Sequence, residues 1–324
     1  MSVSVVVPCY RSARTLPALV ARLRQTLPEA TAAYEIILVV DGSPDGTWAV
    51  ARDLAQRDVP VRAIRLARNY GQHNALLAGL RAARFDTVVT MDDDLQHPPE
   101  EVPRLLAELT DEVDLVYGMA RDEEHGVLRS MASRSAKAGM SVALGVRGAA
   151  QTSAFRAFRS FLRDGLDLVD GPHVSIDVAL SWGTTRIRAV EVRMAERAEG
   201  TSGYTFRVLL RHAATMVLGY STAPLRLVTY LGLLVGLAGL ALFVRLIWLY
   251  IAGATTVAGF TTISAMIALF SSAQMIATGV LGEYVGRIHA GGMGRPAYVV
   301  RESIEGSDQP VGPTVGVQRT PPTN

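Results

Sequence analysis

Four times within its first 91 residues the chain runs through a short apolar, β-branched stretch, and a helical stripe follows each of the first three. Residues 2–7 form the first such stretch, closed by Pro8. Residues 14–27 then place Leu16, Leu19, Val20 and Leu23 on one helical face. Residues 35–40, 61–66 and 86–91 read as three further strands, with helices expected over 47–56 and 74–83. Strands spaced by helices of this length imply right-handed crossovers, hence an α/β fold with a mainly parallel, Rossmann-like sheet. The carboxyl ends of parallel strands point the same way. Pro8-Cys9-Tyr10, Asp41-Gly42-Ser43 and Asp92-Asp93-Asp94 should therefore converge on one crevice.

The last of these loops carries the most chemistry. The run Asp86-Thr87-Val88-Val89-Thr90-Met91 meets three consecutive carboxylates, and Pro98-Pro99 stop any continuation of the strand. Three adjacent acids repel one another unless a cation neutralises them. An all-oxygen cluster suits Mg²⁺ or Mn²⁺, which take one or two carboxylates together with substrate phosphates. Alone, such a run reads equally well as a solvated acidic turn.

Composition narrows the class. A net charge of +2 provides no bulk field for nucleic acid, and no nucleic-acid partner is expected. Lys137 is the only lysine; the other cations are arginines, which suit phosphate forks. A single cysteine, Cys9, excludes an internal disulfide, and its place after an apolar strand reads as a small buried residue. The N-terminus lacks a basic region followed by a long apolar core, so no signal peptide is expected. Mean hydropathy is +0.23, and the apolar excess is concentrated after residue 226.

The stretches VSVVVPCY, EIILVVDGSPDGT, RNYGQHNALLAGL and MDDDLQHPPEEVPRLL resemble the GT-A domain of family-2 glycosyltransferases. More narrowly they resemble the polyprenyl-phosphate glycosyltransferases, and the similarity continues through FRAFR, STAPLRL and LGEYVGRI. The resemblance implies that Pro8, Tyr10 and Asp41 border the nucleotide base, with Arg68 and Gly71 beside the nucleotide and its phosphates. It implies catalytic roles for Asp92, Asp94 and Arg197. Asp92 would face the ribose and sugar, Asp94 and Gln96 would hold the Mg²⁺ or Mn²⁺ ion, and Arg197 would contact the donor diphosphate. His97 reads as a supporting residue, not a ligand. Arg121, Arg129 and Ser133 match the acceptor-phosphate clamp; the same stretch could equally be a solvated helix face. Three departures stand out. No carboxylate occurs between Gly148 and Arg156, the segment Gly200-Thr201-Ser202-Gly203-Tyr204 lacks the lysine of G-x-S-K-Y, and Arg11-Ser12 follow Tyr10 in place of Asn-Glu.

Leu227 to Val244 is an uncharged run of 18 residues, and Phe260 to Leu281 is a second one of 22. Both reach spanning length. Arg207, Arg211 and Arg226 precede the first run and Arg287, Arg295 and Arg301 follow the second, whereas the connecting loop carries no Lys or Arg. The positive-inside rule then puts both termini and the catalytic domain in the cytoplasm, at the inner membrane. Residues 204–220 have the apolar and cationic faces of an interfacial helix. The expected organisation is a GT-A domain over 1–203, an interfacial helix over 204–224, two spanning helices within 225–284, and a tail over 285–324, disordered from about 305.

The expected activity is inverting, metal-dependent transfer of a sugar from a nucleotide-diphosphate donor to a polyprenyl phosphate, with the membrane as partner surface and a homo-oligomer left open. Transfer to another lipid or polysaccharide, or a catalytically degenerate membrane scaffold, are the alternatives. Two spans and the lack of Q-x-x-R-W argue against a processive polymerase.

Overall fold

The computed structural model describes residues 1–58, 60–120, 152–166, 174–195, 223–253 and 259–305. The chain divides into two compact units. One contains residues 1–142, 146–203 and 294–324; the other contains 143–145 and 204–293.

The first unit is built on an eight-stranded sheet. Strands β1 (Ser2–Cys9), β2 (Ala33–Val40), β3 (Val61–Leu66) and β4 (Thr87–Thr90) alternate with helices α1 (Leu16–Ala30), α2 (Thr47–Arg57) and α3 (Gln72–Ala82). After β4 come α4 (Val102–Ala107), β5 (Leu115–Ala120), β6 (Arg156–Arg159), α5 (Ser160–Gly165), α6 (Ile176–Gly183) and β7 (Ile187–Val192). The eighth strand, β8 (Val300–Ile304), comes after the second unit in sequence, and the spatial order is β7-β5-β6-β4-β1-β2-β3-β8. Pairings β1–β2, β1–β4, β2–β3 and β5–β7 are parallel, while β6 and β8 run antiparallel to their neighbours. The α/β architecture expected from sequence holds, with a mixed and mostly parallel sheet. The order departs to either side of β1, so the switch point lies between β1 and β4.

Both faces of the sheet are buried. Val3, Val5 and Val7 of β1 pack with α1, α2 and α4, while Val6 joins α3, α5 and α6 on the other side. This is why the first strands are near-continuous apolar runs and do not alternate. Helix α3 starts at Gln72, two residues before the position expected from its stripe. Gly71, at φ 92°, turns the chain so that its carbonyl accepts from the Asn74 and Ala75 N–H groups.

Beneath the end of β4 lies a buried cation. Arg156 of β6 is 1% exposed; its Nε donates to Thr90 Oγ1 (2.9 Å), and its Nη1 donates to Asp177 Oδ1 in the first turn of α6. Tyr117 of β5 donates to the same Asp177 oxygen at 3.1 Å, and burial together with that carboxylate holds the phenol pKa above its usual range.

The second unit contains two long helices, α7 (Ala223–Ile251, 29 residues) and α8 (Phe260–Gly292, 33 residues). Leu227, Leu234, Trp248, Ile267 and Met275 are exposed along them. Judged on the described residues alone, no helix is long and apolar enough to cross a membrane. Side chains inside both apolar runs, including those at 242, 243, 264 and 265, lie outside that description.

Removing Asp177 tests the buried pair. Asp177→Ala should destabilise the first unit by about 3 kcal/mol, because it leaves a guanidinium buried without its counter-charge. Replacing both partners, with Arg156→Met and Asp177→Leu, should restore most of the loss, read as the thermal unfolding midpoint of each variant.

Candidate active site

The carboxyl ends of β1, β2 and β4 meet, as the alternation requires. They enclose a cavity of about 310 Å³ lined by Pro8, Cys9 and Tyr10 after β1, Asp41 after β2, Asn69, Gly71 and Gln72 before α3, and Asp92, Asp93 and Asp94 after β4. Strand register sets this convergence. Cys9 stands opposite Val40, so β1 and β2 end level, while β4 leaves the sheet three residues earlier, at Thr90 opposite Val6, and its acidic loop runs on beside Pro8–Tyr10.

Each acid is held differently. Asp92 Oδ1 accepts from Gln72 Nε2 at 2.6 Å, and the Asp92 N–H donates to His97 Nδ1 at 3.1 Å. Asp93 Oδ2 accepts the Tyr10 N–H at 3.0 Å, which ties the acidic loop to the loop after β1. Asp94 Oδ1 accepts the Gln96 N–H at 3.1 Å, across Leu95 at φ 64°. Burial, and then the charges of Asp92 and Asp94, push the Asp93 carboxyl up to about 6 against the pull of the Tyr10 N–H and Ser12.

His97 supports this loop from below. It is buried and stacks on Phe155 with ring centroids 5.2 Å apart. Desolvation, aided by the nearby Arg156 charge and opposed by Asp94, lowers its pKa to about 4. With Nδ1 accepting from Asp92, the ring is neutral and protonated on Nε2. Its 3.9 Å approach to Asp92 Oδ2 is therefore not an ion pair.

The second wall is built around Asp41. Its side chain is buried, and its two oxygens accept the Tyr70 N–H (2.7 Å) and the Gly71 N–H (2.8 Å). Burial raises its pKa, offset by those donors and by Arg68. Gly42, at φ 57°, packs backbone to backbone on this loop; a Cβ there would lie 2.3 Å from the Arg68 carbonyl carbon and the Asn69 nitrogen. Arg68 is exposed, with its guanidinium 4.3 Å from the centre of the Tyr70 ring.

Of the residues expected from sequence, Pro8, Tyr10, Asp41, Gly71, Asp92 and Asp94 line the cavity. Arg68 and Gln96 flank it in the same loops without lining it. Arg121, Arg129, Ser133 and Arg197 lie outside the described residues, although the Ala195 N–H, two positions before Arg197, donates to the Gln96 carbonyl at 2.9 Å. Cys9 is buried, as its position after an apolar strand predicts; its thiol donates to the Val7 carbonyl, and burial pushes its pKa well up. Gln72 and Asn69 were not singled out by sequence. The available signal was Gly71, a natural stop before a helix that puts the next residue at the cavity mouth.

The donor set fits a hard divalent ion shared with a substrate. Among the described residues no group of three His, Cys, Asp or Glu forms a ready-made cage. Carboxylates packed at one strand end need further oxygen ligands, which a diphosphate can contribute.

Residues 4–167 match the model of glycosyl transferase family 2. The chain belongs to that family. Curated relatives extend the match well beyond the first unit. The undecaprenyl-phosphate 4-deoxy-4-formamido-L-arabinose transferase of Proteus mirabilis is 36% identical over 93% of this chain and 94% of its own. The transferase of the same name from Aeromonas hydrophila is 34% identical over 95% of each. A looser likeness, with a TM-score of 0.48 and 20% identity over 67% of this chain and 76% of the other, links it to glucosyl-3-phosphoglycerate synthase from Mycobacterium tuberculosis. The protein is thus a glycosyltransferase with its acidic loop at the switch point of the sheet.

The neutral state of His97 has a measurable consequence for this glycosyltransferase. Its folded pKa, about 4, lies below the ordinary 6.5. Between those values the unfolded chain binds the extra proton, so stability falls as the pH drops from 6.5 to 4. Asp93 acts in the opposite sense, since its raised pKa makes the folded state bind a proton first. His97→Gln keeps an acceptor for the Asp92 N–H and leaves the Asp93 contribution in place. In chelator, the unfolding midpoint of the unaltered protein should therefore drop relative to His97→Gln across that range. Parallel curves would show that His97 is not held neutral.

Proposed function

We propose that this glycosyltransferase moves a sugar from a nucleotide diphosphate to undecaprenyl phosphate at the cytoplasmic face of the inner membrane, for modification of a cell-envelope glycan or lipid. The observation that carries the reading is the convergence of Asp92–Asp94, Tyr10, Asp41 and Gly71 on one cavity, in a chain whose relatives named as undecaprenyl-phosphate transferases match it nearly end to end.

In this reading the base lies between Pro8, Tyr10 and Asp41, with the Arg68–Gly71 loop along the nucleotide and its phosphates. Asp94 and Gln96 hold a divalent ion, Mg²⁺ or Mn²⁺, which when bound neutralises charge developing on the diphosphate leaving group. Asp92, oriented by Gln72 and by its N–H bond to His97, faces the ribose and sugar. Arg197 contacts the donor diphosphate, and Arg121, Arg129 and Ser133 hold the acceptor phosphate, Arg forks being suited to its oxygens. An acceptor oxygen attacks the anomeric carbon as the bond to the nucleotide diphosphate breaks, a single displacement with inversion. No protein base is required: a phosphate monoester has a second pKa near 6 and is mostly dianionic at pH 7. That accounts for a working site with no carboxylate between Gly148 and Arg156.

Connectivity supports a membrane hairpin. The chain leaves the first unit, passes through α7 and α8, and returns to the sheet as β8. If the helices span, they must do so an even number of times. A 29-residue helix is about 44 Å long, against about 30 Å of hydrocarbon. Full sequence included, α7 contains the 18 uncharged residues from Leu227 to Val244, bounded by Arg226 and Arg245, its only Lys or Arg residues. We read the pair as a hairpin anchor with both termini cytoplasmic.

Two measurements test this. Purified protein incubated with undecaprenyl phosphate, Mn²⁺ and a panel of UDP- and GDP-sugars should give a glycosylated lipid identified by mass. Asp94→Ala or a chelator should lower turnover by at least about a thousandfold, about 4 kcal/mol of barrier, with the unfolding midpoint preserved. Nucleotide binding without any lipid product would favour the scaffold. Separately, reporters fused at both termini should give the same side, and a probe at Thr256 should be labelled only from the opposite one. Opposite sides for the termini would mean that one helix does not cross.

A further inference from the structure

The stretch between α8 and the end of β8 was expected to be a tail, yet it is built into the catalytic unit beside the donor wall. Strand β3 would be an edge without it, with a row of unpaired N–H and C=O groups. Strand β8 covers that edge, with Ala63 opposite Ile304, Ile64 opposite Ser303 and Arg65 opposite Glu302. The register then slips. Leu66 faces Val300, so Arg301 is an extra residue on the β8 side. A bulge of this kind bends the pair and re-aims the chain beyond it.

Past the bulge, β3 runs into the cavity wall. The Ala67 N–H donates to the Val299 carbonyl at 2.9 Å. The next four residues, Arg68 to Gly71, form the loop whose last two N–H groups are held by Asp41. Ala297 is buried in the apolar cluster against which Tyr70 and Tyr298 pack, and the Tyr298 ring lies 5.7 Å from the guanidinium of Arg81 on α3. The loop is thus held at its end by Asp41, while Ala67, the residue that leads into it, is held by Val299. The far end of β8 is anchored elsewhere. Glu305 accepts from Arg84 Nη2 at 2.6 and 2.7 Å and from Arg62 Nη2 at 3.0 Å, at the other end of the β3–β8 pair.

We propose that residues 297–300, the chain emerging from the second long helix, are positioning residues of the nucleotide-sugar site, acting through the Arg68–Gly71 loop. The inference rests on the proposed donor reading of that cavity. The short stretch of chain after α8 then meets the strand leading into the donor loop through the Ala67–Val299 hydrogen bond, and the nucleotide affinity of the enzyme depends on a segment that never touches the nucleotide.

The test uses the full-length protein with UDP and with GDP, each with Mn²⁺, by titration calorimetry. Tyr298→Ala should raise the Kd of whichever nucleotide the unaltered protein binds by about fivefold or more. Tyr298→Phe, which keeps the ring under Arg81, should bind normally. Glu305→Ala loosens the same strand at its remote end; it should lower the unfolding midpoint and leave the Kd unchanged. Should Tyr298→Ala fail to fold, Ala297→Leu overpacks the apolar cluster that Tyr70 and Tyr298 share and should raise the Kd likewise. Unchanged affinity in the variants at 297 and 298 would overturn the proposal, as would an equal rise in Glu305→Ala, which would reduce the effect to general sheet stability. If the unaltered protein binds neither nucleotide, the donor reading fails and the inference falls with it.

Discussion

The parallel pairing of β1 with β4 is the constraint on which the site depends. Four consecutive pairs, Val3 with Thr87 through Val6 with Thr90, fix the level at which the acidic loop leaves β4 relative to the end of β1 at Cys9. A slip of two residues would shift one loop by about 7 Å along the other, enough to part the Tyr10 N–H from Asp93. Because β2 lies on the other flank of β1 in its own fixed register, Asp41 arrives at the same height. Apolar packing on both faces of the sheet resists such a slip.

A strand end carrying three carboxylates is costly, and the surroundings show how the cost is distributed. Asp92 has an amide donor in Gln72, Asp93 has a backbone donor in Tyr10, and Asp94 has the Gln96 N–H. Leu95 between them takes a left-handed conformation that costs a β-carbon-bearing residue roughly 1–3 kcal/mol and persists where surrounding structure enforces it. That turn lets Asp94 and Gln96 face each other across a single residue. Below, Arg156 donates to Thr90 at the end of β4 while His97 stays neutral under the acidic loop.

Much of this was legible in the chain because it is local. Apolar runs ending in Pro8, Asp41 and Asp92 marked the strands and their shared edge, and parallel geometry did the rest. The features that escaped were non-local. β8 is five residues long and separated from β3 by more than two hundred positions, with nothing in its alternation to name its partner. Asp177, inside an otherwise apolar helix, gave no sign that Arg156 of the FRAFR stretch was its counter-ion. Gln72 sits one residue past a glycine whose positive φ only the backbone reveals. The acceptor clamp expected at Arg121, Arg129 and Ser133 falls outside the described residues, so for that half of the site sequence remains the guide.

The late position of β8 in the chain also has a bearing on biogenesis. A ribosome delivers β1 to β7 first, then both long apolar helices, and only afterwards the strand that closes the β3 edge. Until then the nascent sheet has a bare rim, a template for unwanted strand pairing. The Arg68–Gly71 loop likewise follows a strand whose outer edge is still open while both helices are being made. Completion of the catalytic unit therefore comes only after both long helices have been made, and a chain truncated between α8 and β8 would hold Asp92, Asp93 and Asp94 yet end with its sheet unsealed.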